Sequence, residues 1–145
     1  MAKILIVDDD IHWSEAVGNC LKAVNDVKLL PSAHTGGEAL NSIHKNLPDL
    51  IILDLILPEY DGLYIISCIK KIPDYQPIIY VLTTISTDKI NKLIENLNAE
   101  YYSVKPIKPE VVVENTITLL KMSGKACKGE RAENIRDLRR NGESQ

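Results

Sequence analysis

The chain has 145 residues, 45% of them hydrophobic and 26% charged, and its formal net charge is -3. This length fits one domain with a core of its own, and no apolar run approaches the roughly 18 residues that span a membrane. Residues 1–120 carry 10 basic and 16 acidic side chains, which argues against a nucleic-acid groove, because phosphate binding needs a clustered positive surface. The start of the chain has neither the apolar stretch nor the cleavage site of a secretory signal, so we expect the protein in the cytoplasm.

Five short apolar runs rich in branched side chains are predicted to form strands. They cover residues 4–7, 27–30, 50–53, 78–82 and 101–104, and the second is the weakest. Apolar residues at helical spacing occupy the segments between them: Trp13, Val17 and Leu21 share one face, and Ile90 and Ile94 share another. Strands that are apolar throughout need cover on both faces, which predicts a parallel sheet between two layers of helices.

The last helix is predicted to run from Pro109 to about residue 120, after which the composition changes. Residues 121–145 carry 7 basic and 4 acidic side chains, three glycines and few large apolar residues. Such a segment cannot bury enough apolar surface to order itself. We therefore divide the chain into one domain over residues 1–120 and a charged, mobile linker or tail over residues 121–145.

Polar residues follow four of the predicted strands, at the edge of an open parallel sheet where ligands bind. They are Asp8 and Asp9 after the first strand, Asp54 at the end of the third, Thr83 and Thr84 after the fourth, and Lys105 after the fifth. Three neighbouring carboxylates repel one another unless a cation lies among them, and their oxygens are ligands that suit Mg²⁺. Beside Mg²⁺ and the Lys105 ammonium, Asp54 could stay ionised and attack phosphorus as a nucleophile.

The chain resembles response-regulator receiver domains (CheY-like) over about residues 3–120. The motifs that carry the resemblance are Ile6-Val7-Asp8-Asp9, Asp54-Leu55-Ile56-Leu57-Pro58 with Asp61-Gly62, Leu82-Thr83-Thr84, and Val104-Lys105-Pro106. The resemblance implies an α/β, flavodoxin-like fold: a doubly wound five-stranded parallel sheet in the order 2-1-3-4-5 with five helices. Residues 61–63 and 82–94 also resemble the receivers of sporulation-initiation transcription factors.

The resemblance also implies the roles of the site residues. Asp54 would be the phosphoacceptor, Asp9 a direct Mg²⁺ ligand, Asp8 a ligand largely through water, and the backbone carbonyl of Ile56 the remaining protein ligand. Lys105 would be the counter-ion of the phosphoryl group.

The switch residues implied by the resemblance are Thr83, whose hydroxyl would move onto the phosphoryl group, and Tyr102, which would turn inward on activation. Thr84 stays an alternative to Thr83 as the switch residue. The reason is that the spacing from Pro77 to the Leu82-Thr83 pair is one residue longer than is usual in receiver domains. Tyr101 should lie on the opposite face of the fifth strand from Tyr102, because side chains alternate along a strand.

As a receiver, the protein would be a phosphorylation switch rather than an enzyme that turns over a metabolite. Its donor would be a histidine kinase or a histidine phosphotransfer protein. The surface of the fourth helix, fifth strand and fifth helix would change on phosphorylation and is a candidate for homodimer contacts. Transcription would be controlled through a missing or partner output domain, and DNA would be bound only by such a domain.

Three alternative functions are weighed against this one. The first is a stand-alone phosphotransfer receiver that acts by protein contacts. The second is a haloacid-dehalogenase-type phosphohydrolase, but that family needs a second aspartate where Ile56 stands. The third is an FMN-binding flavodoxin, whose hydroxyl-rich phosphate loop is replaced here by Asp8, Asp9 and Asp10.

Two residues near the predicted site have simpler, structural interpretations. Asp10 is predicted to be a helix N-cap, and Trp13 is predicted to pack in the core.

Overall fold

The computed structural model describes residues 1–84, 88, 92 and 101–124. Its strands are β1 (Ala2–Val7), β2 (Val27–Leu29), β3 (Leu50–Asp54), β4 (Ile78–Thr83) and β5 (Tyr101–Val104). Its helices are α1 (Ile11–Lys22), α2 (Gly36–Asn46), α3 (Gly62–Lys70) and a C-terminal helix (Pro109–Ser123). Among the helices that the structure describes, none has both the length and the apolar composition needed to cross a membrane.

The five strands form one parallel sheet in the order β2-β1-β3-β4-β5. In its centre, Ile4 of β1 pairs with both Leu29 of β2 and Leu50 of β3. At the carboxyl edge, Asp54 lies opposite Leu82 of β4. The predicted sheet, its strand order and the flavodoxin-like fold class are thereby confirmed.

Two hydrophobic cores lie on the two faces of this sheet. Along β1, Leu5 belongs to the core under α2 and α3, whereas Ile4 and Ile6 belong to the core under α1 and the C-terminal helix. Leu5, Ile4 and Ile6 are all 0% exposed, because helices cover both faces. This two-sided cover is the physical reason why the strands are apolar at consecutive positions.

Side chains cap three helices just after the loops at the carboxyl edge of the sheet. Asp10 accepts a hydrogen bond from the backbone N–H of Trp13, and Thr35 caps α2 in the same way. Asp61 caps α3 by accepting from the N–H of Tyr64 at 2.8 Å. Each cap satisfies an amide that the first turn of a helix leaves without a partner. The predicted cap at Asp10 is confirmed.

Four helices lie within the described part of the chain, whereas five were predicted. The predicted fourth helix lies outside the described residues, apart from Asp88 and Lys92, both of which are helical and exposed. The C-terminal helix continues past residue 120 to Ser123, because Met122 packs against the core and Gly124, at φ 72°, ends the helix in a left-handed turn. The predicted tail beyond Gly124 lies outside the described residues.

A buried polar network joins β4, β5 and the C-terminal helix. The hydroxyl oxygen of Tyr80 lies 2.6 Å from Ser103 Oγ and accepts a hydrogen bond from Asn115 Nδ2 at 2.9 Å. All three residues are buried, with exposed fractions of 2%, 0% and 4%. Burial raises the pKa of the Tyr80 hydroxyl, which therefore remains protonated and able to donate to Ser103.

We expect Tyr80→Phe to lower the free energy of unfolding by about 1–3 kcal/mol, because it leaves two buried polar side chains without their shared partner. Urea unfolding followed by circular dichroism measures the change. Tyr60→Phe is the control, because Tyr60 is 46% exposed and its hydroxyl should contribute less than about 0.5 kcal/mol. Equal losses in the two variants would contradict a stabilising role for the network.

Candidate functional site

Three carboxylates lie together where β1 and β3 end. One oxygen atom from each of Asp8, Asp9 and Asp54 lies within 4.8 Å of the other two. Asp8 is buried, Asp54 is partly buried and Asp9 is exposed. The parallel sheet produces this arrangement, because β1 and β3 are hydrogen-bonded neighbours whose carboxyl ends point the same way. The structure thus brings together the three aspartates that the sequence analysis singled out.

Lys105 places its ammonium group among these carboxylates. Its Nζ atom lies 2.5 Å from Asp8 Oδ2 and 3.5 Å from Asp54 Oδ2. The backbone of Lys105 is held as well, since its N–H donates to the carbonyl of Thr83 at 2.8 Å. The lysine side chain is only 14% exposed, so this ion pair is shielded from water and stronger than one on the surface.

The pKa of the Asp54 carboxyl group is raised above its ordinary value. Burial is the largest cause, because it disfavours the charged form, and the negative charge of Asp8 acts in the same direction. Two contacts lower the pKa but do not outweigh burial: a hydrogen bond at 3.1 Å from the N–H of Ile56, and the charge of Lys105. Asp54 is thus a carboxylate whose negative charge is only partly compensated by the protein.

We expect Asp54→Asn to raise the thermal unfolding midpoint of the Mg²⁺-free protein at pH 7. With a raised pKa, the folded state binds a proton at Asp54 more tightly than the unfolded state does, so ionisation destabilises the fold as the pH rises through the folded-state pKa. The difference in unfolding midpoint between the wild type and Asp54→Asn should therefore vanish below pH 3.8, the ordinary pKa of an aspartate carboxyl group. Below that pH the wild-type carboxyl group is protonated in both the folded and the unfolded state. Differential scanning calorimetry at several pH values measures this difference in midpoint. A difference that does not change with pH would contradict this explanation.

The loop that carries Asp8 is fixed by contacts with the loop after β2. The N–H of Asp8 donates to the carbonyl of Ala33 at 3.0 Å, and Nδ1 of His34 lies 2.9 Å from the carbonyl oxygen of Asp8. The Asp8 side chain also accepts a hydrogen bond from the N–H of Asp10 at 2.9 Å. The supporting role of His34 was not predicted, because it depends on a contact with a residue far away in the chain.

The loop between β3 and α3 packs closely against two glycines. A Cβ atom on Gly62 would lie 2.7 Å from the carbonyl oxygen of Asp54, and one on Gly36 would lie 2.3 Å from that of Tyr60. Gly36 also donates its N–H to the carbonyl of Pro58 at 3.0 Å. The first turn of α2 therefore holds this loop in place beside Asp54. Ile56, on the same loop, is 52% exposed, and the ligand role of its carbonyl stays a prediction.

The predicted switch residues lie at the ends of β4 and β5. Thr83 is 1% exposed as the last residue of β4, whereas Thr84 is exposed. Tyr102 is 9% exposed and packs in the core under α2 and α3, and Tyr101 packs against the opposite core. The predicted alternation of the two tyrosines is confirmed, and the switch roles stay predictions.

Trp13 lies over the ammonium group of Lys105, a contact that the sequence analysis missed. The Nζ atom is 4.4 Å from the centroid of the indole ring, within the range of a cation–π interaction. Trp13 also packs against the core under α1, as predicted. Beside the pair is an open depression of about 310 Å³, which Asp10, Thr84 and Ile107 help to line.

The residues at this edge fit a divalent cation. The available ligands are carboxylate oxygens on three different side chains, and hard oxygen ligands of this kind suit Mg²⁺. The exposure of Asp9 leaves one side of the cluster open to water, and Mg²⁺ in proteins usually keeps several water ligands. Asp8, Asp9 and Asp54 are therefore the side chains that could hold it.

Residues 4–117 match the family described as the response regulator receiver domain. Over 125 residues the chain is 32% identical to a protein of Guillardia theta named "Probable transcriptional regulator ycf27". That match covers 86% of this chain and 48% of the relative, so the chain spans about half the length of this relative.

Two solved structures show the same fold. "BeF3 Activated DrrB Receiver Domain" is 29% identical with a TM-score of 0.71, and the match covers 83% of this chain and 98% of that one. The chemotaxis response regulator CheY4 of Vibrio cholerae is 28% identical with a TM-score of 0.73, and the match covers 81% and 97% of the two chains. With the family match over most of its length, the chain belongs to the response regulator receiver domains.

Proposed function

We propose that this receiver domain accepts a phosphoryl group on Asp54 from a phosphohistidine donor and acts as a switch in a two-component phosphorelay. One observation carries the proposal: the ammonium of Lys105 contacts both Asp8 and Asp54 beside the third carboxylate, Asp9. A phosphoryl acceptor needs a nucleophilic carboxylate, a set of oxygens that can bind a cation, and a fixed positive charge.

In the proposed step, a carboxylate oxygen of Asp54 attacks the phosphorus of the phosphohistidine. The O–P bond forms as the P–N bond breaks, and the imidazole nitrogen keeps the electron pair of the broken bond. Lys105, 3.5 Å from Asp54 Oδ2, lies near enough to offset the charge of the transferred oxygens. Mg²⁺, held by Asp8, Asp9, Asp54 and the carbonyl of Ile56, would supply further charge neutralisation. The chemistry is self-modification, so we class the protein as a switch and not as an enzyme.

The phosphoryl group would then shift an equilibrium between two conformations. The proposed switch residues are Thr83 and Tyr102, and the backbone hydrogen bond between Thr83 and Lys105 supports a link between the phosphoryl site and β5. The surface that changes comprises the predicted fourth helix, β5 and the C-terminal helix. We propose that two copies of the chain pair through this surface.

The proposed partners follow from the relay chemistry and from the relatives. The donor would be a histidine kinase or a histidine phosphotransfer protein in the cytoplasm. The Guillardia theta relative is named as a transcriptional regulator and is about twice as long as the match, which supports control of transcription through an output domain outside this chain. The likeness to sporulation-initiation receivers stays a prediction, as does action as a stand-alone phosphotransfer receiver.

A small phosphodonor tests the proposal directly. After incubation with acetyl phosphate and Mg²⁺, intact mass spectrometry should show one phosphoryl adduct on the wild-type chain and none on Asp54→Asn. Asp10→Asn is the matched control, because it removes a neighbouring carboxylate while asparagine can still cap α1, and it should keep the adduct. An adduct that survives Asp54→Asn, or continuous release of phosphate as in a phosphohydrolase, would refute the proposal.

A further inference from the structure

Lys105 and a divalent cation would compete for the same carboxylate groups. The ammonium already contacts Oδ2 of Asp8 and approaches Oδ2 of Asp54, two of the three side chains that could hold the cation. Two positive charges at neighbouring positions repel each other, so each weakens the binding of the other at these carboxylates. A cation bound at these carboxylates therefore favours a shift of the ammonium away from its present position at Asp8.

The indole ring of Trp13 helps to define that position. It lies 4.4 Å from Nζ of Lys105, and its own backbone is held by the N-cap bond from Trp13 N–H to Asp10. The ring packs against the core under α1, so it cannot follow the ammonium freely. The face of an indole ring attracts a cation and replaces part of its hydration shell.

We propose that Trp13 is a positioning residue that holds the Lys105 ammonium on Asp8 and thereby weakens the binding of Mg²⁺. The ring stabilises the state in which the ammonium neutralises the carboxylates, and this contact weakens when the ammonium shifts away from Asp8. Trp13 therefore sets how strongly the ammonium opposes the binding of a cation at these carboxylates. This inference rests on the metal site of the proposed function.

A double-mutant cycle on Mg²⁺ affinity tests the inference. In isothermal titration calorimetry with Mg²⁺, Trp13→Leu should lower the Kd by about 2–5-fold, the range that corresponds to an exposed cation–π contact. In the Lys105→Met background, the same substitution should leave the Kd unchanged, because no ammonium remains to be held. Equal effects in both backgrounds would indicate a merely structural role and overturn the inference, as would an unchanged Kd in the single variant.

Fluorescence provides a second readout that needs no substitution of Trp13. The chain has one tryptophan, so its emission should change as Mg²⁺ is added, with the same Kd as in calorimetry, and most of this change should be lost in Lys105→Met. If Trp13→Leu does not fold, Trp13→Phe preserves an aromatic ring for the cycle and should give a smaller change in Kd. Wild-type protein that binds no Mg²⁺ would overturn the metal site and this inference together, whereas bound Mg²⁺ without an effect of Trp13 would overturn this inference alone.

Discussion

Lys105→Met should slow the transfer of a phosphoryl group to Asp54 by about 10²–10³-fold, the cost of removing one fixed donor from a site that stabilises developing negative charge. The ammonium lies 3.5 Å from Asp54 Oδ2 and is only 14% exposed, so water cannot readily replace it. Methionine has a similar length and removes the charge. The rate of adduct formation from acetyl phosphate at saturating Mg²⁺ measures the effect.

Lys108→Met is the matched control for this experiment. Lys108 is an exposed lysine that precedes the C-terminal helix, and it makes no side-chain cap hydrogen bond there. Its replacement alters the net charge equally but should leave the rate within about 2-fold, because exposed charges are screened by salt. Equal rates in the wild type and in Lys105→Met would exclude an electrostatic role for Lys105. If the inference about Trp13 holds, Lys105→Met binds Mg²⁺ more tightly even as it slows transfer.

Gly36→Ala should lower the free energy of unfolding by about 3 kcal/mol, at the upper end of the usual cost of overpacking. The added methyl group would lie 2.3 Å from the carbonyl oxygen and 2.6 Å from the N and Cβ atoms of Tyr60. Two of these atoms belong to the backbone and the position of Cβ is fixed by the backbone, so no change of rotamer relieves the contacts. The loop between β3 and α3 must move, and the geometry around Asp54 would change with it.

The neighbouring glycine provides the control for this substitution. A Cβ atom on Gly37 would lie 2.9 Å from Oε2 of Glu59, the far end of a flexible side chain that can turn away. Gly37→Ala should therefore be neutral or stabilise the protein by up to about 1 kcal/mol, because alanine favours helix more than glycine does. Urea unfolding of both variants measures the contrast, and similar free energies of unfolding would show that the close approach at Gly36 is not restrictive.

Much of the fold could be predicted because its signals are local. A run such as residues 50–53, apolar at each position, indicates a strand covered on both faces, and Asp10 directly before an apolar helical stripe indicates a cap. The acidic site could also be predicted from the sequence, because carboxyl ends of parallel strands share one edge of the sheet. Asp8, Asp9 and Asp54 are therefore found together without any knowledge of the rest of the core.

The contacts that were not predicted join residues far apart in the chain. Trp13 fits a helical apolar stripe, and nothing in its local pattern indicates that its ring meets Lys105. The close approach of Gly36 to Tyr60 depends on how α2 docks beside the next loop. The extension of the C-terminal helix to Ser123 likewise depends on the tertiary packing of Met122. The charge-rich composition after residue 120 predicts a tail instead, because it does not indicate this packing.

The ion pair between Lys105 and Asp8 has a consequence for protein synthesis. The two residues are 97 positions apart, so they can meet only after β5 has been translated and added to the edge of the sheet. A nascent chain on the ribosome can already contain all three aspartates while lacking the ammonium that we propose assists transfer. If the proposed function holds, unfinished chains should therefore be poor phosphoryl acceptors.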